Sequence, residues 1–467
     1  MSTTTSTSSD TKAETTILAA GYEPALWKTY LAFLGPMIAS NILQALSGTI
    51  NNIYLGQMLG VSAMASVSAF FPVLFFLIAF MIGLGSGAAV LIGQAWGAKE
   101  LDRVKAIVGT TLMVGLCAGL LVAVFGGSLT EPLLIALGTP VDILPGATAY
   151  ARIVLIATPG IFVFLLVTSM LRGVGDTKTP LLTLVIATIV GLAVTPALIQ
   201  GWFGLPKMGV ASGAYAAVLS YVVSLAWTAW FMLRKQHPLA PDAALRKHMR
   251  IDRAIVIKVL RIGLPTALSM ITISLSEVAV LFLVNRYGSQ ATAAYGAVNQ
   301  IVSYVQFPAI SIAITASILG AQAIGAGRTQ ILGKIARTGI LMNLVLTGSM
   351  VLLGYLFSRH IIALFITDAA VVEVTQTLLH IMLWSSVIMG MSMVLSGLMR
   401  ASGTVLVPTA IGMFAIAGIE VPVAWLLSSQ YGLNGIWAAY PVAFLAMLAM
   451  QTAYYRLVWR KQRIERL

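Results

Sequence analysis

Charge is what this chain of 467 residues has least of: only 9% of it is Asp, Glu, Lys or Arg, where a soluble domain carries roughly 25%. Water therefore cannot be the solvent for most of its surface. Cysteine is almost absent as well. The single residue, Cys117, lies in an apolar run, which excludes an internal disulfide and any cysteine-based metal site. The four histidines, His237, His248, His360 and His380, are scattered. With no HExxH pair and no Gly-Lys phosphate loop, the sequence offers no metalloenzyme chemistry, no ATP hydrolysis and no cofactor site. The opening stretch, MSTTTSTSSDTKAETTILAA, lacks the basic start and apolar core of a cleavable signal peptide. It reads as most of a disordered tail over 1–25.

What the chain has in abundance is apolar. Hydrophobic residues make up 59% of it and the mean hydropathy is +0.94. Runs long enough to cross a hydrocarbon core of roughly 30 Å recur along it. Breaks at charged or Gly/Pro-rich segments predict twelve helices, at 30–58, 64–92, 106–127, 144–171, 180–203, 210–233, 256–285, 290–322, 335–358, 372–399, 405–430 and 435–459. The expected fold class is an all-α polytopic membrane protein.

The net charge of +13 needs no nucleic-acid partner. With the N-terminus inside, all Lys and Arg except Arg152, Lys207, Arg286 and Arg359 fall in inward segments or helix ends, as the positive-inside rule requires. Both termini are expected in the cytoplasm and the body in a plasma membrane.

The two halves resemble each other. Pro36 and Ser40 in LGPMIASNI match Pro265 and Ser269 in GLPTALSMI; GQAWGA at 93–98 matches AQAIGA at 321–326; LRGVGDTKTP at 171–180 matches MRASGTVLVP at 399–408. The offset is nearly constant. Each repeat holds an even number of helices, so the halves should be related by an axis along the membrane normal, with a substrate cavity between two rocking lobes. The expected division is an N-lobe over 26–235, a basic connector over 236–255, a C-lobe over 256–459 and a basic C-terminus over 460–467.

Of fifteen acidic residues, only Glu277 and Glu420 fall well inside predicted helices. A carboxylate at mid-membrane costs about 2.5–3.5 kcal/mol on insertion scales, so such residues usually face a cavity and serve ion or substrate pathways. At roughly 1.5 Å per residue the two lie at similar depth in the second half. Low dielectric penalises the charged form and a nearby cation restores it, so each can exchange a proton for a positive substrate. Gln44, Asn51, Asn52 and Asn299 are candidate substrate contacts, or bonds between helices. Tyr54, Phe70, Phe71, Tyr295 and Tyr304 offer faces to a cation, or pack. Gly83, Gly85 and Gly87 are expected to let helices approach or bend. His380 reads as structural and Arg152 as an interfacial anchor.

Glu277 in LSEVAVLFLVNRYG, the LRGVGDTKTP segment, GLPKMGVASGAY before the sixth helix and VPVAWLL around Pro422 resemble the multidrug and toxic compound extrusion (MATE) transporters. The likeness runs from about Leu26 to Trp459. It implies two pseudo-symmetric six-helix lobes around a V-shaped cavity, and export of small organic cations by antiport with H⁺ or Na⁺, in a monomer that needs no cofactor. By resemblance Glu277 is the cation-coupling glutamate, with Na⁺ as the one conceivable metal there, and Gln300 in NQIVSYVQF lines the cavity. The sequence departs from the family where Asn51 and Thr195 stand in place of aspartates, and where Met389 replaces an acid of the tenth helix. Glu420, beside Pro422, is our candidate for that lost charge. A flippase for a lipid-linked precursor is the alternative, although a pyrophosphate calls for several cavity cations. A membrane-embedded enzyme or a passive channel fits less well.

Overall fold

The computed structural model describes residues 25–467, so the expected tail lies outside the described residues except for Ala25. Regular structure within them is entirely helical. Eleven helices are long and apolar enough to cross a bilayer, and a bent pair completes twelve if its pieces form one span. The helices are α1 (Leu26–Leu59), α2 (Val61–Gly97), α3 (Leu101–Leu121), α4 (Thr130–Ala136), α5 (Leu144–Ile156), α6 (Thr158–Gly173), α7 (Lys178–Gln200), α8 (Ala211–Arg234) and α9 (Ala243–His248). They continue as α10 (Arg253–Asn285), α11 (Ser289–Gly325), α12 (Leu332–Leu356), α13 (Ser358–Ala363), α14 (Ala369–Met382), α15 (Ser385–Ala401), α16 (Leu406–Met413), α17 (Val421–Tyr431) and α18 (Leu433–Leu457).

Three predicted spans differ in detail. The helix expected at 144–171 is two helices, α5 and α6, bent by 55°. Pro159 sits in the first turn of α6, where its ring disfavours continuing the preceding helix. The helix expected to reach 203 stops at Gln200, because Gly201 takes a left-handed φ of 75° and so caps it. The helix expected at 372–399 is interrupted at Leu383 and Trp384, where neither proline nor glycine marks the break.

The described chain forms two compact units. The first holds residues 25–38, Gly93–Glu100 and Leu268–Leu467; the second holds Ala39–Ile92 and Leu101–Ala267. The division falls inside α1 and inside α10, just past the matched prolines Pro36 and Pro265, and residues 236–255 lie within the second unit. A proline inside a helix removes one rung of the hydrogen-bond ladder and kinks it, so the two halves of one helix can serve different units.

In the first unit α11 is the core, with 83% of its most apolar window buried. Small residues make this possible: Ala309, Ser311, Ala313 and Thr315 are all buried, and Gly397 of α15 lies against the Ala313 carbonyl. Such residues let helix backbones approach closely. The repeat returns here in three dimensions. A Cβ on Gly97 would fall on the Gln322 carbonyl, and one on Gly325 would fall on the Gln94 carbonyl. These are equivalent positions of GQAWGA and AQAIGA, so the contact repeats itself. Gln94 Nε2 also donates to Ala401 O at 2.8 Å, and Tyr30 Oη donates to Ile335 O at 2.9 Å.

In the second unit the three glycines of α2 have distinct neighbours. Gly83 and Gly87 lie against the carbonyls of Gly263 and Val259, and Gly85 lies against Ser169. Close approach, not bending, is what they provide. The basic segment after α8 is fastened to its unit: Lys105 Nζ pairs with Asp242 at 2.8 Å, Thr110 Oγ1 donates to Arg250 O at 2.9 Å, and His237 Nε2 stands 3.3 Å from Asp176. Burial pushes the Asp176 carboxyl up, but hydrogen bonds from His237 and Thr179 outweigh it and hold the group below its ordinary value.

Two predictions follow from this packing. Gly97→Val and Gly325→Val should each cost about 1–3 kcal/mol through overpacking, whereas Gly333→Ala, whose Cβ meets open space, should be neutral or gain up to ~1 kcal/mol; thermal melts in detergent check both. For Asp176 the folded state binds its proton less readily than the unfolded chain. Its stabilisation is therefore complete above the unfolded value of about 3.9 and is lost as pH falls through the lower folded one. The melting advantage of the native chain over Asp176→Asn should be full at about pH 6 and shrink below about pH 4.

Candidate functional site

The first unit contains a cavity of about 450 Å³ whose wall carries Glu277, within the range of small-molecule sites, about 300–1,000 Å³. Two helices supply most of the wall. On α10 the lining positions Ser274, Glu277, Val278 and Leu281 follow the three-and-four spacing of one helix face. On α11 the polar positions Tyr295, Asn299, Ser303 and Gln306 do the same. Met382, at the end of α14, closes the apolar side.

Glu277 is half-buried and its oxygens are treated unequally. Oε2 accepts hydrogen bonds from Tyr295 Oη, from Asn299 Nδ2 at 3.4 Å and from Tyr440 Oη at 3.3 Å. Oε1 accepts none among the described residues. Three donors from two helices thus hold an acid without neutralising it. No Lys, Arg or His lies within ion-pair distance of Glu277 or Glu420 among the described residues. Edge-on contact with Trp437, ring centroids 5.5 Å apart, fixes the Tyr295 ring in turn.

Glu420 ends a π-helical turn, Phe414–Glu420, that joins α16 to α17. Pro422 follows in the first turn of α17. Such turns accommodate an extra residue in the helix and recur at functional sites. The side chain is 2% exposed.

Of the residues anticipated from the sequence, Glu277, Asn299 and Tyr295 meet at this cavity. Gln300 does not line it. It follows Asn299 by one position, about 100° around the helix, and is exposed, while Gln306 takes a lining place. Gln306 Nε2 donates to Met389 Sδ at 3.5 Å, so the thioether stands close to the wall. Gln44, Asn51, Asn52 and Tyr54 belong to the second unit; Gln44 and Asn52 are exposed and Tyr54 is half-buried. Asn51 Oδ1 accepts from Thr195 Oγ1 at 3.5 Å, so the two positions where the resemblance leads one to expect aspartates form a neutral pair. His380 is engaged with Ser358 at 3.1 Å, a structural role.

Tyr440, Gln306 and Ser274 went unread in the sequence. Tyr440 is a lone polar group in the apolar run WAAYPVAFLA, while Ser274 and Gln306 lie among other polar residues that do not single them out, and only the crossing of α10, α11 and α18 reveals the first as a partner of Glu277. Among the described residues no group of three or more His, Cys, Asp or Glu is placed to hold a metal ion.

The wall allows a direct test of its bonding. Glu277→Leu removes the acceptor of Asn299 and Tyr440 and leaves Tyr295 Oη only the residue 277 carbonyl at 3.3 Å, and should destabilise the chain by about 1–3 kcal/mol for each donor that finds no water. Glu277→Gln retains one acceptor oxygen and should cost less, as thermal melts of the purified variants would record.

Comparison with known proteins adds independent findings. The family model MatE matches twice, over residues 36–197 and 265–426, each match beginning at one of the paired prolines. The Bacillus subtilis (strain 168) protein described as "Probable multidrug resistance protein YoeA" is 43% identical, over 98% of this chain and 99% of that one. The Thermotoga maritima "Probable multidrug resistance protein NorM" is 24% identical, over 89% of each. In structure, a mutant of the Vibrio cholerae MATE transporter VcmN superposes with a TM-score of 0.86 at 20% identity, over 96% of this chain and 99% of that one.

Proposed function

The chain belongs to the MatE family, and on that premise we propose that it is a multidrug antiporter, exporting small organic cations in exchange for inward H⁺ or Na⁺. Members of this family are transporters, so the chain is an integral membrane transporter and not an enzyme. In our reading it acts as a monomer in the plasma membrane with both termini in the cytoplasm, and its two lobes, 26–235 and 256–459, alternate access to the two sides. It uses no cofactor beyond the coupling ion.

One observation carries the reading: Glu277 faces a cavity, held by three neutral donors and no basic residue. Donors of this kind stabilise a carboxylate without cancelling its charge. The remaining charge must be met by something that comes and goes, because an uncompensated charge in low dielectric is costly. An organic cation and a coupling ion compete for it, and Glu420 assists from the neighbouring helix. Export follows if each occupant favours a different arrangement of the protein, since a ligand shifts such an equilibrium only by its differential affinity. The exposed Gln44 and Asn52, the half-buried Asn51 and Tyr54, and Gln300 remain proposed substrate contacts. The names of the relatives, multidrug resistance proteins in both cases, support the substrate class. A flippase for a lipid pyrophosphate is disfavoured because the cavity wall bears an acid and no cation.

Proteoliposomes loaded with ethidium test the proposal under an imposed pH or Na⁺ gradient. The native chain should move the dye against its gradient, Glu277→Gln should abolish the coupling, and Glu420→Gln should weaken it. Coupled transport that survives both substitutions unchanged would exclude the mechanism.

A further inference from the structure

The hydrogen bonds along the polar face of α11 all run toward the protein. Asn299 Nδ2 donates to Glu277 Oε2 at 3.4 Å, and Gln306 Nε2 donates to Met389 Sδ at 3.5 Å. A carboxylate and a thioether only accept, so these partners fix which end of each amide faces them. Ser303 Oγ gives its hydrogen to Asn299 O at 2.8 Å, and Tyr295 Oη gives its own to Glu277. What remains is a set of acceptors. Glu277 Oε1, Asn299 Oδ1 and Gln306 Oε1 have no hydrogen bond among the described residues, and none of the three is buried without a partner. An unbonded oxygen that is not buried faces open space, and these three residues line the cavity. Ser274, on α10, adds a hydroxyl that can take either role.

Aromatic surface is scarce by contrast. Tyr295 is the one aromatic residue of the wall among the described residues, and its hydroxyl and ring are engaged by Glu277 and Trp437. A quaternary cation has no hydrogen to donate and is typically recognised by several aromatic faces. The wall offers it no such cage.

We propose that the cavity selects its organic cation by N–H groups, taking protonated amines, amidines and guanidines in preference to quaternary cations of the same charge. The inference rests on the antiport reading and names the substrate class of its site.

An ammonium or guanidinium gives up hydrogen bonds to water on entry and recovers them at Glu277 Oε1 and Asn299 Oδ1 as charge-assisted bonds. Gln306 stands seven residues further along α11, about 10 Å at 1.5 Å per residue, so a drug-sized molecule can bring a second N–H or O–H to its oxygen. A quaternary cation keeps the Coulomb attraction of Glu277. It nevertheless displaces water from oxygens to which it cannot bond, and each acceptor left bare costs free energy. A site built to bond hydrogens rejects the analogue that lacks them more strongly than one that merely differs in size.

Phenethylammonium and its N,N-dimethyl and N,N,N-trimethyl derivatives test the proposal at neutral pH, where all three are monocations. Equilibrium dialysis of each radiolabelled compound against the purified full chain in detergent, with protein-free micelles as the blank, gives its Kd. We expect the primary ammonium to bind about tenfold or more tighter than the trimethyl compound. The dimethyl form is nearly as bulky as the trimethyl form but keeps one N–H, and should retain a clear advantage over it. Asn299→Leu should narrow the gap while leaving the Kd of the trimethyl compound within about twofold of native. A dimethyl form that tracks the trimethyl one overturns selection by N–H, and an unchanged gap in folded Asn299→Leu overturns its assignment to this wall. The native comparison needs no variant, so an Asn299→Leu chain that fails to fold does not shield the claim. Three equal affinities, all lost in Glu277→Gln, would sink this inference and leave the antiport reading standing, whereas no binding of any of the three would remove both.

Discussion

A carboxylate in an apolar interior must be compensated, and this chain is built around leaving two of them without a permanent countercharge. Among the described residues every basic one sits elsewhere than the Glu277 wall and beyond ion-pair distance of Glu420. The surroundings of Glu277 are polar enough to keep an acid in place and too neutral to satisfy it. Three donors on one oxygen and an open second oxygen are the structural form of that compromise. Substituting a lysine for any of the three donors would build a stable ion pair and, on this account, a protein with nothing left to exchange.

The helices serve this arrangement. Because α11 is lined with small residues it packs at the centre of its unit, and its one polar face, Tyr295 to Gln306, then has to border a cavity. The π turn before α17 and the proline after it bring Glu420 into the buried side of the same unit. The repeat is retained in the prolines and in the reciprocal contacts of Gly97 with Gln322 and of Gly325 with Gln94. The acids are not repeated: in the second unit Asn51 and Thr195 bond to each other as neutral groups. Architecture is shared by the halves, while the ionisable chemistry belongs to one.

Much of this was legible from the residues. Apolar runs located the spans, because length and hydropathy alone decide which segments can cross a bilayer. The bend at Ala157 was hidden, since a proline in the first turn of a helix looks the same whether or not another helix precedes it. Glu277 and Glu420 stood out because a membrane acid is expensive wherever it lies. Tyr440 did not, for a tyrosine in an apolar run costs little and its role depends on which helices cross. The resemblance assigns Gln300 a cavity-lining place, while the wall of the Glu277 cavity carries Asn299 and Gln306; helix phase relative to a neighbour is a tertiary property that sequence spacing does not contain.

The central claim is competition at Glu277 between a proton and an organic cation. Equilibrium dialysis of radiolabelled tetraphenylphosphonium against the purified native chain and Glu277→Gln, over a range of pH, measures it directly. The account predicts that the native affinity weakens as pH falls, since protons occupy the carboxylate first, and that the variant binds weakly at every pH. Native binding that stays equally tight from acid to alkaline solution would contradict it.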